Sequence, residues 1–259
     1  MDESKLLQLI ERDPNYIKSI DNPTETMKLT AVKNNGAILK YIENPSEELL
    51  WEALKSNVWS IEYIESPTEE MCLYAVEKAW NSLKYIKNPS SNVCERAVAM
   101  KGWAIQYIGN PSLDLQLLSV NKDWDSIQYI ENPSEEIQLA AVENYAGALK
   151  YIKKPTFKVL RNAIKKNAQA VTYIDNMKAD ELRSFIYDNI DVVKYIDENI
   201  YMPMIEEILK EKFRENDLDS SYMVKFMECG AINMDKISFV YKYGNKRAKQ
   251  LLVDYQLSN

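Results

Sequence analysis

The chain contains no histidine in its 259 residues. That single absence removes Ser-His-Asp and Cys-His nucleophilic systems, imidazole-ligated metals and imidazole proton transfer. Three cysteines, Cys72, Cys94 and Cys229, are an odd number without CxxC spacing, so neither a disulfide framework nor a thiolate zinc site is expected. Reduced, buried thiols are the reading. Cys72 and Cys94 share one repeat phase, and stacking one unit apart should hold their Cα atoms beyond the ~7 Å reach of a disulfide.

Glycine is scarce, at six residues, and no GxxxxGK[ST], GxGxxG or HExxH motif occurs. Nucleotide hydrolysis, dinucleotide binding and zinc proteolysis therefore have no support. No run of 18 apolar residues is present, and the opening MDESKLLQLI is acidic ahead of its apolar residues, the reverse of a secretory signal. A cytoplasmic protein that does not use the membrane is expected. Positive charge is also short, with 32 Lys and Arg against 39 Asp and Glu, a net charge of −7. Nucleic acid is not an expected partner, because phosphate-backbone binders cluster cations. Lys236, Lys242, Lys246, Arg247 and Lys249 near the end read as a solvated helix face.

What the chain has in quantity is repetition. The octapeptide YIENPSEE runs from Tyr41 and again from Tyr129, 88 positions on. Pro23, Pro45, Pro67, Pro89, Pro111, Pro133 and Pro155 are each 22 residues apart, and a Tyr-Ile pair keeps the same step from Tyr41 to Tyr195. Nine units over residues 1–197, with atypical end copies, make a repeat array. Beyond it the period fails, and 198–259 reads as three or four amphipathic helices forming a C-terminal cap or small module. Those last residues carry 10 of the acidic and 9 of the basic side chains, so the acidity lies mainly in the array.

Each unit reads as two short helices. Asn44 is expected as an N-cap, Pro45 at the first helical position and Glu47 at the third, completing a capping box. Apolar residues such as Leu49, Ala53 and Leu54 form one helical stripe, whose middle member is Ala in most units, a sign of close helix crossing. The second helix carries Leu39, Ile61, Leu83 and their equivalents. Helices this short need stacked neighbours, so the expected fold is an all-α solenoid.

The segment IQLAAVENYAGALKYI, Ile137 to Ile152, resembles the short helical repeats of the DUF4116 type, with an Ala-Val apolar run, a polar turn and a Leu-Lys-Tyr segment. The resemblance covers about three quarters of the chain. It implies the fold and carries no activity. The strict Asn-Pro and the 22-residue length depart from that pattern towards other compact helical repeats.

Recurring positions are explained by packing, so function is sought where the units differ. The tyrosine ladder is read as structural, and the acidic helix starts, Glu47, Glu48, Glu69, Glu70, Glu135 and Glu136 among them, as dipole complements. Trp59, Trp80, Trp103 and Trp124 fall in four successive units at two adjacent phases, where other units have Gly36, Ala146 or Ala168. They either seal the turn edge of the core or form an aromatic strip typical of interface hot spots. The expected partner-binding residues are these four with Trp51 as anchors, and Lys84, Arg96, Gln106 and Gln128 as polar surroundings. No catalytic, cofactor or metal residues are expected.

The expected function is therefore non-enzymatic: an extended solenoid face that occludes or scaffolds another protein. Its Lys, Asn, Ile and Tyr bias suits an AT-rich bacterium or phage, a context in which such a protein would inhibit a host defence system. The alternative is a small-molecule or nucleotide-sequestering protein that stacks its ligand on the indoles.

Overall fold

The computed structural model describes residues 2–258, those of 198–200 in backbone only. Met1 and Asn259, the outermost residues of the two sequence-assigned segments, lie outside that description. The fold is an all-α helical repeat of the solenoid type, with no strand among the described residues. By its internal packing the chain divides into two compact units, Met1–Ile130 and Glu131–Asn259.

In the first unit, α-helices alternate with short 3-10 helices, here called η. The order is α1 (Glu3–Arg12), η1 (Pro14–Ser19), α2 (Glu25–Asn34), η2 (Gly36–Tyr41), α3 (Glu47–Ser56), η3 (Val58–Tyr63) and α4 (Glu69–Lys78). It continues with η4 (Trp80–Tyr85), α5 (Ser91–Met100), η5 (Gly102–Tyr107), α6 (Leu113–Lys122) and η6 (Trp124–Tyr129). Each α-helix packs on the next, as α2 on α3 and α4 on α5, while the η helices stack on one another in a second file.

The second helix of each unit is thus a six-residue 3-10 helix. Asn57 before η3 is extended, at φ −150°, and its side chain accepts a hydrogen bond from the Trp59 N–H. Ile64 then closes the turn by donating to the Ile61 carbonyl, the i→i+3 bond that suits so short a segment.

The N-cap differs from the sequence expectation. Ser46 holds that position, accepting from the Leu49 N–H at 3.3 Å, and Glu47 is the first helical residue, not the third. Thr24, Thr68, Ser90 and Ser112 do the same in their repeats. Asn44 instead takes a left-handed conformation at φ 46°, as Asn22 and Asn88 do. Asparagine tolerates that region through its short polar side chain, so it makes the turn, and proline follows it outside the helix.

The cap hydroxyls also tie repeats together. Ser46 donates to Glu25 at 2.5 Å, Thr24 to Glu3 at 3.1 Å and Ser90 to Glu69 at 2.7 Å, each reaching the first-turn carboxylate of the preceding repeat. Beneath them Ala31, Ala53, Ala75 and Ala97 are fully buried, flanked by Leu49, Leu54, Met71 and Val98. The alanine stripe lets adjacent helices approach closely, and the fully buried large side chains each contribute about 1.5 to 3 kcal/mol.

The second unit continues the pattern with α7 (Glu135–Asn144), η7 (Ala146–Tyr151), α8 (Phe157–Lys166), η8 (Ala168–Tyr173), α9 (Ala179–Asp188) and η9 (Ile190–Tyr195). Four ordinary helices follow: α10 (Glu198–Lys212), α11 (Ser220–Glu228), α12 (Lys236–Tyr243) and α13 (Lys246–Ser258). Tyr222 of α11 donates to the Ile186 carbonyl at 3.1 Å, and Lys225 donates to Asn189 at 3.1 Å, fastening α11 to the last repeat. Phe213, Phe226 and Phe239 form the core of these helices, with Phe213 and Phe226 ring centroids 5.0 Å apart.

Candidate interaction surface

Tryptophans and tyrosines of the η file meet across repeats. Trp59 of η3 lies edge-on to Tyr85 of η4 with ring centroids 6.1 Å apart, and Trp103 of η5 lies edge-on to Tyr129 of η6 at 5.8 Å. Trp80 of η4 stacks on Tyr107 of η5 at 6.2 Å, with planes 27° apart. Each indole therefore covers the closing tyrosine of the next repeat. Tyr85, Tyr107 and Tyr129 are half-buried as a result.

Where the covering position holds a small residue the ring stays open. Ala37 precedes Tyr63 by the same 26 residues that separate Trp59 from Tyr85. Tyr63 is 38% exposed, Tyr41 47% and Trp59 itself 37%. The η2–η6 face thus runs from open rings at Tyr41, Trp59 and Tyr63 to indole-covered rings at Tyr107 and Tyr129. Aromatic pairs of this geometry add about 0.5 to 1.5 kcal/mol beyond area burial, so the tryptophans also stabilise the repeat joints.

The polar residues expected around the tryptophans divide. Lys84 belongs to the face: its ammonium lies 4.5 Å from the Tyr85 centroid and 6.0 Å from that of Trp59. Hydrogen bonding to the Tyr85 side chain holds the Lys84 ammonium above its ordinary range. Gln106 and Gln128 are exposed on the same file, yet each amide folds back onto a carbonyl three residues earlier, Trp103 at 2.9 Å and Asp125 at 2.8 Å. The Trp103 indole N–H donates to Asp125 at 2.7 Å. Trp124 opens η6 and is half-buried.

Trp51 and Arg96 sit in the other file. Trp51 of α3 packs edge-on to Tyr74 of α4 at 5.8 Å, and Arg96 of α5 pairs with Glu77 of α4 at 2.8 Å. Both bridge neighbouring α-helices, because their places on the helical wheel face the adjacent repeat's α-helix. Sequence reasoning missed Tyr41 and Tyr63 as open rings. The offset of 26 or 27 residues between a tryptophan and the tyrosine it covers was the available signal.

The carboxylates at the helix starts are engaged structurally. Hydrogen bonds from Ser90 and then Asn92 hold the Glu69 carboxyl below its ordinary value, and Thr156, followed by Lys158, does the same for Glu135. Among the described residues no group of three or more Cys, Asp or Glu converges as metal ligands. All three cysteines are buried, and desolvation pushes the Cys72 and Cys94 thiols up. No helix among the described residues is long and apolar enough to cross a membrane. Set against protein-family models, curated proteins and solved structures, the chain matches none of them.

Proposed function

We propose that the protein is a non-enzymatic binding protein that uses the η2–η6 face to engage another protein, occluding or scaffolding it. The observation that carries this reading is the aromatic file: open rings at Tyr41, Trp59 and Tyr63, continuous with tryptophans laid on the next repeat's tyrosine. Tyrosine and tryptophan give large, rigid contact area at low entropic cost and dominate interface hot spots. The repeat supports the face with invariant packing while leaving its outward residues free to differ, as Lys40, Glu62, Lys84 and Gln106 do at one register.

The amino-acid bias extends the proposal to context: a bacterial or phage protein acting in the cytoplasm, with inhibition of a host defence as its biological outcome. Affinity capture with mass spectrometry tests the reading, comparing the parent chain with a Trp59→Ala/Tyr63→Ala variant whose circular dichroism is unchanged. A partner enriched by the parent and lost by the variant is expected. Equal recovery of every partner by both proteins would overturn the assignment of this face.

A further inference from the structure

Five cations stand at the turn that joins α12 to α13. Lys242 lies in the last turn of α12, and Lys246, Arg247 and Lys249 in the first turn of α13. Asn245, between them, holds the end of α10 against this turn: its N–H donates to the Phe213 carbonyl at 2.9 Å, and its side-chain amide to the Arg214 and Glu215 carbonyls at 3.0 Å each. Arg214, 28 residues before Lys242 in sequence, thereby joins the corner. Lys236 does not belong to it, because its ammonium donates to the Met227 and Cys229 carbonyls at 3.0 and 2.7 Å and closes α11.

The fold does not account for these charges. A helix favours anions at its start and cations at its end, yet α13 has three cations in its first turn, no acid there and no cation in its last. The carboxylates of α10 and the turn after it are engaged elsewhere: Glu206 with Lys210 at 3.5 Å, Glu207 and Glu211 with Arg183, and Glu215 with Lys212 at 2.6 Å. Among the described residues no carboxylate lies within ion-pair distance of Arg214, Lys242, Lys246, Arg247 or Lys249, whereas Lys158, Lys166, Lys194 and Lys225 of the same unit each meet one. Asp217 and Asp254 are close in sequence, and neither pairs with the cluster.

Arg214, Lys242 and Lys246 are exposed, and beside them α12 presents Ile237 and Tyr241, 41% and 50% exposed and one turn apart. The pattern is complementary to carboxylates next to an apolar side chain. A long polyanion such as a nucleic acid gains its affinity by neutralising phosphates over a run of cations, and beyond this corner it would meet a chain of net charge −7. A short acidic segment needs the corner alone.

We infer that this corner docks a short acidic segment of another protein, its carboxylates met by Arg214, Lys242, Lys246, Arg247 and Lys249 and one of its apolar side chains by Ile237 and Tyr241. Arginine takes a carboxylate through paired hydrogen bonds, and opposite charge steers the encounter. The corner shares no residue with the η2–η6 face, so the two assignments stand or fall separately.

Fluorescence anisotropy with the full chain tests it, using three labelled probes: a short peptide of Asp and Glu around one Leu, its Asn and Gln counterpart, and a single-stranded oligonucleotide. Saturable binding of the acidic peptide is expected, weakening as salt rises, with the other two silent. Lys246→Gln/Arg247→Gln should weaken the peptide by roughly tenfold or more. The same variant should melt no lower than the parent, because it removes cations from the positive end of α13, so lost binding is not lost fold. Lys158→Gln/Lys166→Gln, at cations already paired with carboxylates, should leave the Kd as it is. No saturable binding of the acidic peptide, equal binding of its neutral counterpart, tighter binding of the oligonucleotide, an unchanged Kd in Lys246→Gln/Arg247→Gln, or an equal loss in both double variants would overturn the inference.

Discussion

The hydroxyls of Ser119 and Ser126 meet in the core at 2.6 Å, joining α6 to η6. Ser119 stands where the four preceding repeats have Ala31, Ala53, Ala75 and Ala97, and Ser126 stands where Ser60 and Ser82 lie in η3 and η4. Those two have alanine opposite, and their buried hydroxyls have no hydrogen-bond partner. Ser60→Ala and Ser82→Ala should each stabilise the chain, by about 1 kcal/mol, because an unpaired buried hydroxyl costs more than a methyl in its place. Ser119→Ala should destabilise by about 1 to 3 kcal/mol by orphaning Ser126, and Ser119→Ala/Ser126→Ala should recover much of that loss. Urea midpoints of the four variants give the comparison. A loss on Ser60→Ala would mean that its hydroxyl is satisfied.

The caps give a second contrast. Ser46→Ala removes both the Leu49 N–H acceptor and the donor to Glu25, so it should cost about 1 kcal/mol or somewhat more. Asn44→Gly should be near neutral, since the backbone at φ 46° suits glycine, whereas Asn44→Val should cost roughly 1 to 2 kcal/mol. If Asn44 were the cap, Ser46→Ala would instead leave the Leu49 N–H satisfied and cost only a few tenths of a kcal/mol. Thermal unfolding of the set distinguishes these orders.

The cap marks the boundary of what could be read from sequence. A 22-residue proline step and the Leu49, Ala53, Leu54 stripe dictate stacked helical repeats, because no other element buries that stripe at that period. The position of the cap was two residues off, because proline forbids a helix before it without saying whether the helix starts at once or one turn residue later. Apolar residues three apart in Leu39–Ile42 suit an α- or a 3-10 helix alike, so the η character was not legible. Trp51 and Trp59 are eight residues apart in sequence yet in different files, a separation that appears only when the extended Asn57 turns the chain between them. The tryptophan register was readable, but the meaning of the offset needed the stacking of one repeat on the next.

Acid should unfold the chain more readily than mild base. The Glu69 and Glu135 carboxyls, and those of the helix caps Asp219 and Asp235, are held below their ordinary values by hydrogen bonds. A folded-state pKa below the unfolded one gives stability that is fully present above the unfolded value and is lost as pH falls through the folded value. With no imidazole to titrate, the melting temperature should be level from about pH 5 to 8 and fall below it. Glu69→Gln should leave the neutral plateau nearly unchanged, because the group is exposed, and flatten part of the acid limb. Calorimetric scans across pH give the test, and a steep change between about pH 6 and 7 would contradict it.

Gly36 and Gly109 separate close approach from mere turn formation. A Cβ on Gly36 would lie 2.2 Å from the Ala53 carbonyl oxygen and 2.8 Å from the Ser60 hydroxyl, and the carbonyl belongs to a packed α-helix that cannot swing aside. The Gly36 N–H also donates to Ser56 at 3.1 Å, so shifting the backbone outward would stretch a hydrogen bond between repeats. Gly36→Ala should therefore destabilise by about 1 to 3 kcal/mol through overpacking. At Gly109 a Cβ meets nothing within 4 Å, and no glycine has a positive φ. Gly109→Ala should then stabilise by about 0.4 to 1 kcal/mol by restricting the unfolded chain. Urea unfolding followed by far-UV circular dichroism measures both. Because α3 and η2 are held together at this contact, Gly36→Ala should also slacken the joint beneath Tyr41 and Tyr63 and raise amide exchange there, while Gly109→Ala leaves that exchange as it is.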